Sequence, residues 1–178
     1  MKRMVFVVLL VAMMGSTVFA YDWIVNPANG HRYTLVSAGY DWNEAESNSV
    51  ALGGHLVTIN DADENEWVKT SFGEFDFMWI GLYEVDYNAR TWAWISGEPV
   101  TFSNWAEGEP SGPGWEHWVA MMGPSFHDGQ WADLTRTWEP SFGYKHIAVV
   151  EVIPEPSSLL ALCGGVGGLL AFRRRRRK

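Results

Sequence analysis

The sequence predicts an α+β domain, in which two helices with one short strand between them precede most of the other strands. Helical periodicity is confined to residues 41–52 and 61–73, whereas short apolar runs and loops rich in Gly, Pro, Asn and Ser follow from residue 79 onward. The apolar run at 79–82 contains a glycine, which is typical of a strand buried on both faces with another chain segment close by. We therefore expect the core to form around this strand.

The first strand is expected at residues 32–36, after a turn at Asn29 and Gly30. A helix follows, because Asp41 and Glu44 have the spacing of a capping box. The inward face of this helix comprises Trp42, Ala45, Ser49 and Leu52, and the helix ends at Gly53 and Gly54.

A short strand at residues 55–59 leads to a second helix. This helix is expected to begin at Asn60 or Asp61 and to end near Gly73. Acidic residues crowd its first turn, where the helix dipole favours them.

Strands are expected next at residues 79–83 and 91–95, and the last strand at 146–153. Between them, residues 96–125 predict a long loop with an apolar interruption at 118–122. Long ordered loops in compact domains usually carry function, so this loop is the favoured place for a site.

Residues 1–20 resemble a secretory signal peptide rather than part of the fold. Lys2 and Arg3 precede an apolar run at 4–14, and residues 18–20 form a signal-peptidase-like site before Tyr21. A retained membrane anchor is the alternative, although the apolar run is shorter than the ~20 residues that a spanning helix needs.

Residues 154–178 comprise Pro154, Glu155 and Pro156, an apolar segment at 159–172 and a basic run at 173–178. This order resembles the PEP-CTERM sorting signal of bacterial exported proteins, whose signature tripeptide the first three residues match. The resemblance implies transient anchoring in the inner membrane through this segment, recognition by an exosortase, and delivery to the cell envelope or outside the cell. An ordinary single-pass anchor, oriented by the basic run, is the alternative.

The region between these ends is strongly acidic. Eight of the 13 Lys and Arg residues lie in the two ends, which leaves five against 20 of the 21 Asp and Glu residues. Such a surface repels nucleic acid and anionic membranes and suits cations or neutral ligands. The lone cysteine, Cys163, lies in the C-terminal apolar segment, so the domain has no disulfides.

Several motifs follow one another along the chain: Trp-Asn-Glu-Ala-Glu at 42–46, Leu-Gly-Gly-His-Leu at 52–56, Trp-Ile-Gly-Leu at 79–82, Trp105, Glu-Pro-Ser at 109–111, Glu116 with Trp-Val at 118–119, and Trp-Ala-Asp at 131–133. Their order and spacing together resemble the C-type lectin-like fold. The resemblance implies two helices, two small antiparallel sheets and a long ligand-binding loop within a domain at residues 21–153.

The same resemblance implies a joint site for Ca²⁺ and sugar. Carried over residue by residue, it assigns Glu109, Glu116 and Asp133 as metal ligands, with Ser111 beside them in the ligand-binding set. Two positions depart from the family pattern, because Ser111 replaces an amide and Ala132 replaces the Asn of the second triplet. Ca²⁺ takes ~6 to 8 oxygen ligands, so the expected binding is weak.

The tryptophans fall into two groups. Trp79, Trp94 and Trp131 are expected in the core, whereas Trp105 and Trp115, with Trp138, lie in loop-like sequence. An aromatic ring in such a loop either stacks on the apolar face of a sugar or covers the loop's own interior. Trp105 and Trp115 are therefore added to the ligand-binding candidates, with both roles left open.

The sequence predicts no catalytic activity. No mature cysteine is present as a nucleophile, and the histidines show no metal-ligand spacing. We expect an exported, non-catalytic module that binds an extracellular glycan with weak Ca²⁺ dependence. The alternative is a Ca²⁺-independent module that recognises a surface protein or has a structural part in the cell envelope or matrix.

Overall fold

The computed structural model describes residues 21–38, 41–86, 89–112, 114–137 and 147–154. The predicted signal peptide and nearly all of the sorting tail, including Glu155 and Pro156, lie outside the described residues. Trp138 and His146 also lie outside them.

Two helices are present in the described residues, and both begin where the sequence predicts. Helix α1 spans Trp42–Ala51, and its N-cap Asp41 accepts a hydrogen bond from the Asn43 N–H at 2.8 Å. Helix α2 spans Ala62–Phe72, and its N-cap Asp61 accepts from the Glu64 N–H at 2.8 Å. The two caps satisfy amide groups that a helix leaves without partners at its N-terminus.

The strands of the described residues are β1 (Ile24–Val25), β2 (Arg32–Ser37), β3 (His55–Leu56), β4 (Phe77–Asp86), β5 (Thr91–Trp94), β6 (Trp118–Met122), β7 (Trp131–Leu134) and β8 (Ile147–Val152). They form one hydrogen-bonded path, β1-β2-β8-β4-β6-β7, with β3 on β8 and β5 on β4. All pairs are antiparallel except β4 with β8, which are parallel at Met78–Ile147 and Trp79–Ala148.

This topology confirms the predicted α+β fold and refines its sheet arrangement. The two small antiparallel sheets that were expected are joined into one mixed sheet by the short parallel pair of β4 and β8. The join occurs because the first half of β4 lies between β8 and β6, while its second half borders β5.

Strand β4 is the centre of the core, as the apolar run at 79–82 predicts. Its residues from Phe77 to Leu82 are all buried. Met78 and Ile80 pack into one apolar cluster, and Phe77 and Trp79 into another on the opposite face. Core burial of Trp79, Trp94 and Trp131 is likewise confirmed.

Gly81 has the close neighbour that its place in a buried strand predicts. A Cβ atom at this position would lie 2.6 Å from the Leu56 carbonyl oxygen and 3.0 Å from that of Val57. The Gly81 N–H donates to the Val57 carbonyl at 2.9 Å. The glycine thus lets the chain after β3 approach β4 directly.

The prediction of one loop from 96 to 125 is wrong at its C-terminal part. Its apolar interruption is strand β6, which lies between β4 and β7. Val119 to Met122 are buried there, because Val119 and Met121 pack into one apolar cluster and Ala120 and Met122 pack into the other. The irregular loop therefore ends at His117.

Candidate ligand-binding site

Backbone hydrogen bonds join the loop between β5 and β6 to strand β7. The Trp131 N–H donates to the Asn104 carbonyl at 2.8 Å, and the Ala106 N–H donates to the Trp131 carbonyl at 2.9 Å. Trp105, between them, is half-buried, with its ring centroid 4.9 Å from that of Trp92 and 6.0 Å from that of Trp131. Its ring thus lies in the loop's interior, which favours the covering role over sugar stacking.

Trp115 lies at the outer side of the same loop. It is 63% exposed, the highest value among the large apolar residues that the structure describes as exposed. Its N–H donates to the Gly112 carbonyl at 3.4 Å, so the backbone beneath the ring belongs to a turn. Of the two loop tryptophans, Trp115 is therefore the more exposed to solvent.

Asp133 connects the loop to the rest of the site. Its carboxylate is fully buried, and Oδ1 accepts a hydrogen bond from the Ser111 N–H at 2.7 Å. The other oxygen, Oδ2, accepts from Nη2 of Arg90 at 3.0 Å. Ser111 follows the cis peptide bond between Glu109 and Pro110, the geometry that the sequence permits there.

The carboxyl groups of Glu109 and Glu116, two residues of the loop, lie near that of Asp133. The Glu116 carboxylate lies directly against Gly112, where a side chain would collide with it. Burial, followed by repulsion from Asp133, raises the pKa of Glu116, and the positive charge of Arg90 lowers it. Glu109 has one buried carboxylate oxygen, Oε2, without a hydrogen-bond partner.

The pKa of Glu109 is raised from its ordinary value of 4.5 to about 7. Burial is the largest cause, and hydrogen bonding with Asp133, which needs a shared proton, is the next. Repulsion from Asp133 and Glu116 acts in the same direction, while the hydrogen bond with Ser111 opposes it. The three acids predicted as metal ligands are therefore close enough to disfavour one another's charge.

This shift predicts that the folded state loses stability as the pH rises from about 4.5 to about 7. In that window folded Glu109 holds a proton that the unfolded chain has released, so the stabilisation is fully present below 4.5 and is lost as the pH passes 7. Replacing Glu109 by Gln removes this contribution, and thermal melts of the full chain between pH 4.5 and 8 measure it. Glu107→Gln, an exposed neighbour in the same loop, should keep the wild-type profile. A Glu109→Gln profile that falls as steeply as wild type would contradict the assignment.

Three further residues of the site were missed by sequence reasoning. Glu84 of β4 is buried, and its Oε2 lies 2.7 Å from Nδ1 of His117. Its Oε1 lies 3.5 Å from Nε of Arg90, so Arg90 contacts both Glu84 and Asp133. The sequence offers one indication of Arg90, because it is among only five Lys and Arg residues in a strongly acidic region.

These contacts leave a poor fit for Ca²⁺. The side chain of Ala132 offers no oxygen, and its methyl group is buried in an apolar cluster with Ala106 and Ala120. Both oxygens of Asp133 are already hydrogen-bonded, one of them to a cation. Glu109 and Glu116 remain as donors, which falls well short of the ~6 to 8 oxygens of a calcium shell.

A second group of polar side chains lies away from the loop. Possible metal-ligand atoms of His31, Glu64 and Glu151 lie within 4.8 Å of one another. The three residues are distant in sequence, so no local spacing predicts this group. The Tyr33 hydroxyl oxygen lies 2.7 Å from Oε1 of Glu64 and 2.9 Å from Oε1 of Glu151, and burial raises the pKa of both Tyr33 and Glu151. Backbone amides of Thr58 and Asn60 satisfy the remaining carboxylate oxygens. The group thus connects α2 to β2 and β8 with internal partners.

Within the part of the chain that the structure describes, neither helix has the length and apolar character needed to cross a membrane. The apolar segment of the predicted sorting tail lies outside that part.

Comparisons with known families match two regions of the chain. The model described as Lectin C-type domain matches residues 38–141, and the model described as PEP-CTERM protein-sorting motif matches residues 152–177. The first match covers the helices, the loop and β7, and the second covers the tail.

Two curated relatives are large receptors. C-type mannose receptor 2 of Homo sapiens is 33% identical over 108 residues, covering 55% of this chain and 7% of the receptor. Secretory phospholipase A2 receptor of Mus musculus is 33% identical over 88 residues, covering 49% of this chain and 6% of the receptor. The chain therefore spans less than a tenth of the length of these relatives.

Two solved structures share the fold. The C-type carbohydrate-recognition domain of cow CD23, determined in the presence of GlcNAc2Man3 oligosaccharide, has a TM-score of 0.61 and 26% identity, covering 75% of this chain and 94% of that one. The carbohydrate-recognition domain of the mouse scavenger receptor C-type lectin has a TM-score of 0.58 and 26% identity, covering 75% and 96%.

The fold of the described residues and these matches lead to the same family assignment. C-type lectin domains commonly bind Ca²⁺ and act as glycan-binding modules, and their fold is non-catalytic, so the expectation that this chain is not an enzyme is confirmed. The PEP-CTERM motif implies export and sorting to the envelope. The chain belongs to the lectin C-type domain family and carries a PEP-CTERM protein-sorting motif at its C-terminal end.

Proposed function

We propose that this chain is an exported binding module that recognises an extracellular glycan with the outer face of its β5–β6 loop. The observation that carries the proposal is the position of Trp115, a largely exposed ring on the loop that also holds Glu109, Ser111 and Glu116 beside Asp133. An exposed ring next to hydrogen-bond acceptors matches the two faces of a sugar, since one face is apolar and its edge carries hydroxyl groups.

The charge of the site limits the kind of glycan. The Arg90 guanidinium contacts the carboxylates of Glu84 and Asp133 and acts on that of Glu116, and the Glu109 carboxyl group lies beside Asp133. This excess of negative charge repels sulfated, phosphorylated or uronic acid sugars. Neutral saccharides, which donate hydroxyl hydrogens to carboxylates, are the favoured ligands.

Calcium has a weak and secondary part in this proposal. Glu109 and Glu116 could supply carboxylate oxygens to a cation, but Asp133 is engaged by Ser111 and Arg90. We therefore expect glycan binding by wild type to change little when Ca²⁺ is removed.

For export, we propose cleavage of the signal at residues 1–20 and release of the domain at residues 21–153 from the tail at 154–178. The tail would hold the chain in the inner membrane until an exosortase recognises Pro154, Glu155 and Pro156. The domain would then reside in the envelope or outside the cell.

A glycan array probed with the labelled full chain, with Ca²⁺ and with chelator, tests the binding proposal. We expect neutral saccharides to be bound in both conditions, and Trp115→Ala and Glu116→Gln to lose most of the signal. Tyr21→Ala, an exposed aromatic on another element, and Glu107→Gln serve as matched controls and should bind like wild type. An array without signal in both conditions would overturn the glycan proposal.

The alternative is a Ca²⁺-independent module that recognises a protein of the envelope or matrix. The engagement of Asp133 by Arg90 and the burial of Ala132 favour it over a Ca²⁺-dependent lectin. An exposed tryptophan such as Trp115 is also typical of protein interfaces. A blank array together with saturable binding of one envelope protein, abolished by Trp115→Ala, would establish this alternative.

A further inference from the structure

Arg90 has an unusual position at the start of β5. Among the described residues, Arg90 is the one non-glycine residue with a left-handed backbone conformation, and its φ is 54°. Its guanidinium carbon lies 5.6 Å from the centroid of the Trp92 ring, and the side chain is only 26% exposed. A left-handed conformation is disfavoured for a residue with a Cβ, so the contacts of the side chain must offset its cost.

Those contacts are with carboxylates. Nη2 donates to Asp133 Oδ2 at 3.0 Å, and Nε lies 3.5 Å from Glu84 Oε1. Both carboxylates are fully buried, and Glu84 also pairs with His117 at 2.7 Å. Buried carboxylates need a counter-charge, and this guanidinium is the fixed cation that touches both of them.

We propose that the Arg90 guanidinium supplies the positive charge that this loop would otherwise take from a divalent cation, and that it competes with Ca²⁺ for Asp133. The inference concerns the same site as the proposed function, but it does not require that a glycan binds there.

The competition follows from geometry and charge. An ion bound to the Asp133 oxygen that accepts the Arg90 hydrogen would lie within a few ångströms of the guanidinium charge. A dication entering beside Glu116 would also meet the positive charge of Arg90, which acts on that carboxylate already. Like charges a few ångströms apart repel strongly at a partly buried site. Ca²⁺ must therefore displace Arg90 before it obtains Asp133.

Removing the charge of Arg90 should create a usable cation site. Arg90→Gln keeps an amide donor for Asp133 but no charge, and we expect its Ca²⁺ affinity to exceed that of wild type by about tenfold or more. Arg90→Lys, which keeps a charge, should remain close to wild type. The matched control is Arg136→Gln, because Arg136 forms another Arg–Asp pair, 3.2 Å from Asp41, on an exposed surface.

The measurement is calorimetric titration of CaCl₂ into the full chain, purified in non-ionic detergent, with MgCl₂ as a second probe and melting temperature as a second readout. We expect Ca²⁺ to raise the melting temperature of Arg90→Gln and to leave wild type, Arg90→Lys and Arg136→Gln nearly unchanged. The double variant Arg90→Gln with Asp133→Asn should lose the gain.

A merely structural role of Arg90 predicts a different result. Arg90→Gln would then melt at lower temperature in the same way with and without Ca²⁺, and this outcome would overturn the proposal. If Arg90→Gln is unfolded without Ca²⁺, recovery of the folded state on adding the ion supports the proposal and failure to recover overturns it. Because no glycan is present, a blank glycan array leaves this result unaffected.

Discussion

Replacing Trp131 by Ala is expected to lower the free energy of unfolding by about 3–5 kcal/mol, the range for truncating a large buried aromatic. Trp131 is 0% exposed, and its ring lies edge-on to those of Trp94 and Phe102. Its indole N–H also donates to the Asn65 side-chain oxygen at 2.9 Å, so the variant leaves a buried acceptor without its donor. Urea unfolding followed by circular dichroism measures the change.

The matched control is Trp115→Ala, the same substitution at a ring that is 63% exposed. Its free energy of unfolding should stay within about 0.5 kcal/mol of wild type, as at most surface positions. This result would also make a loss of glycan signal in Trp115→Ala interpretable as lost binding. Equal destabilisation by the two variants would contradict the placement of Trp131 at the centre of the core.

Replacing Asp133 by Ala is expected to lower the free energy of unfolding by about 2–3 kcal/mol. Breaking a buried ion pair costs about 3–5 kcal/mol, and the partial exposure of Arg90 reduces that figure. The variant also removes the acceptor of the Ser111 N–H, which ties the loop to β7. Urea unfolding of the full chain measures the loss, and faster proteolysis within residues 105–116 would report the loosened loop.

Asp128→Ala is the matched control for Asp133→Ala. The Asp128 carboxylate is 61% exposed and lies 3.5 Å from Lys69, a geometry that contributes little to stability. Asp133→Asn separates the two roles of the side chain, because its amide oxygen still accepts from Ser111 but carries no charge for Arg90. Destabilisation by Asp133→Asn as large as that by Asp133→Ala would mean that the charge, not the loop contact, carries the effect.

Much of the scaffold could be predicted from local sequence. The N-caps Asp41 and Asp61, the buried run through Gly81 and the limits of β2 follow from patterns whose cause lies within a few residues. Strand β6 was mistaken for an interruption of the loop, because its burial depends on pairing with β4 and β7 and not on its own five residues.

Sequence reasoning identified only some of the residues of the candidate site. Glu109, Ser111, Glu116 and Asp133 are found by motif, and the structure brings them to one place. Glu84, Arg90 and His117 belong to no local pattern. Their interaction depends on β4, β6 and the β4–β5 turn meeting around Asp133.

The sequence by itself determined the α+β fold, the family and the sorting motif, because periodicity, capping and motif spacing depend on residues that are close together in the sequence. Only the tertiary structure decided how the charges of the loop are balanced. Arg90 and Asp133 are 43 residues apart, and their ion pair exists because the sheet brings them within 3.0 Å. Trp105 and Trp115 likewise look equivalent in sequence, but Trp105 is half-buried against Trp92 and Trp131, whereas Trp115 is 63% exposed.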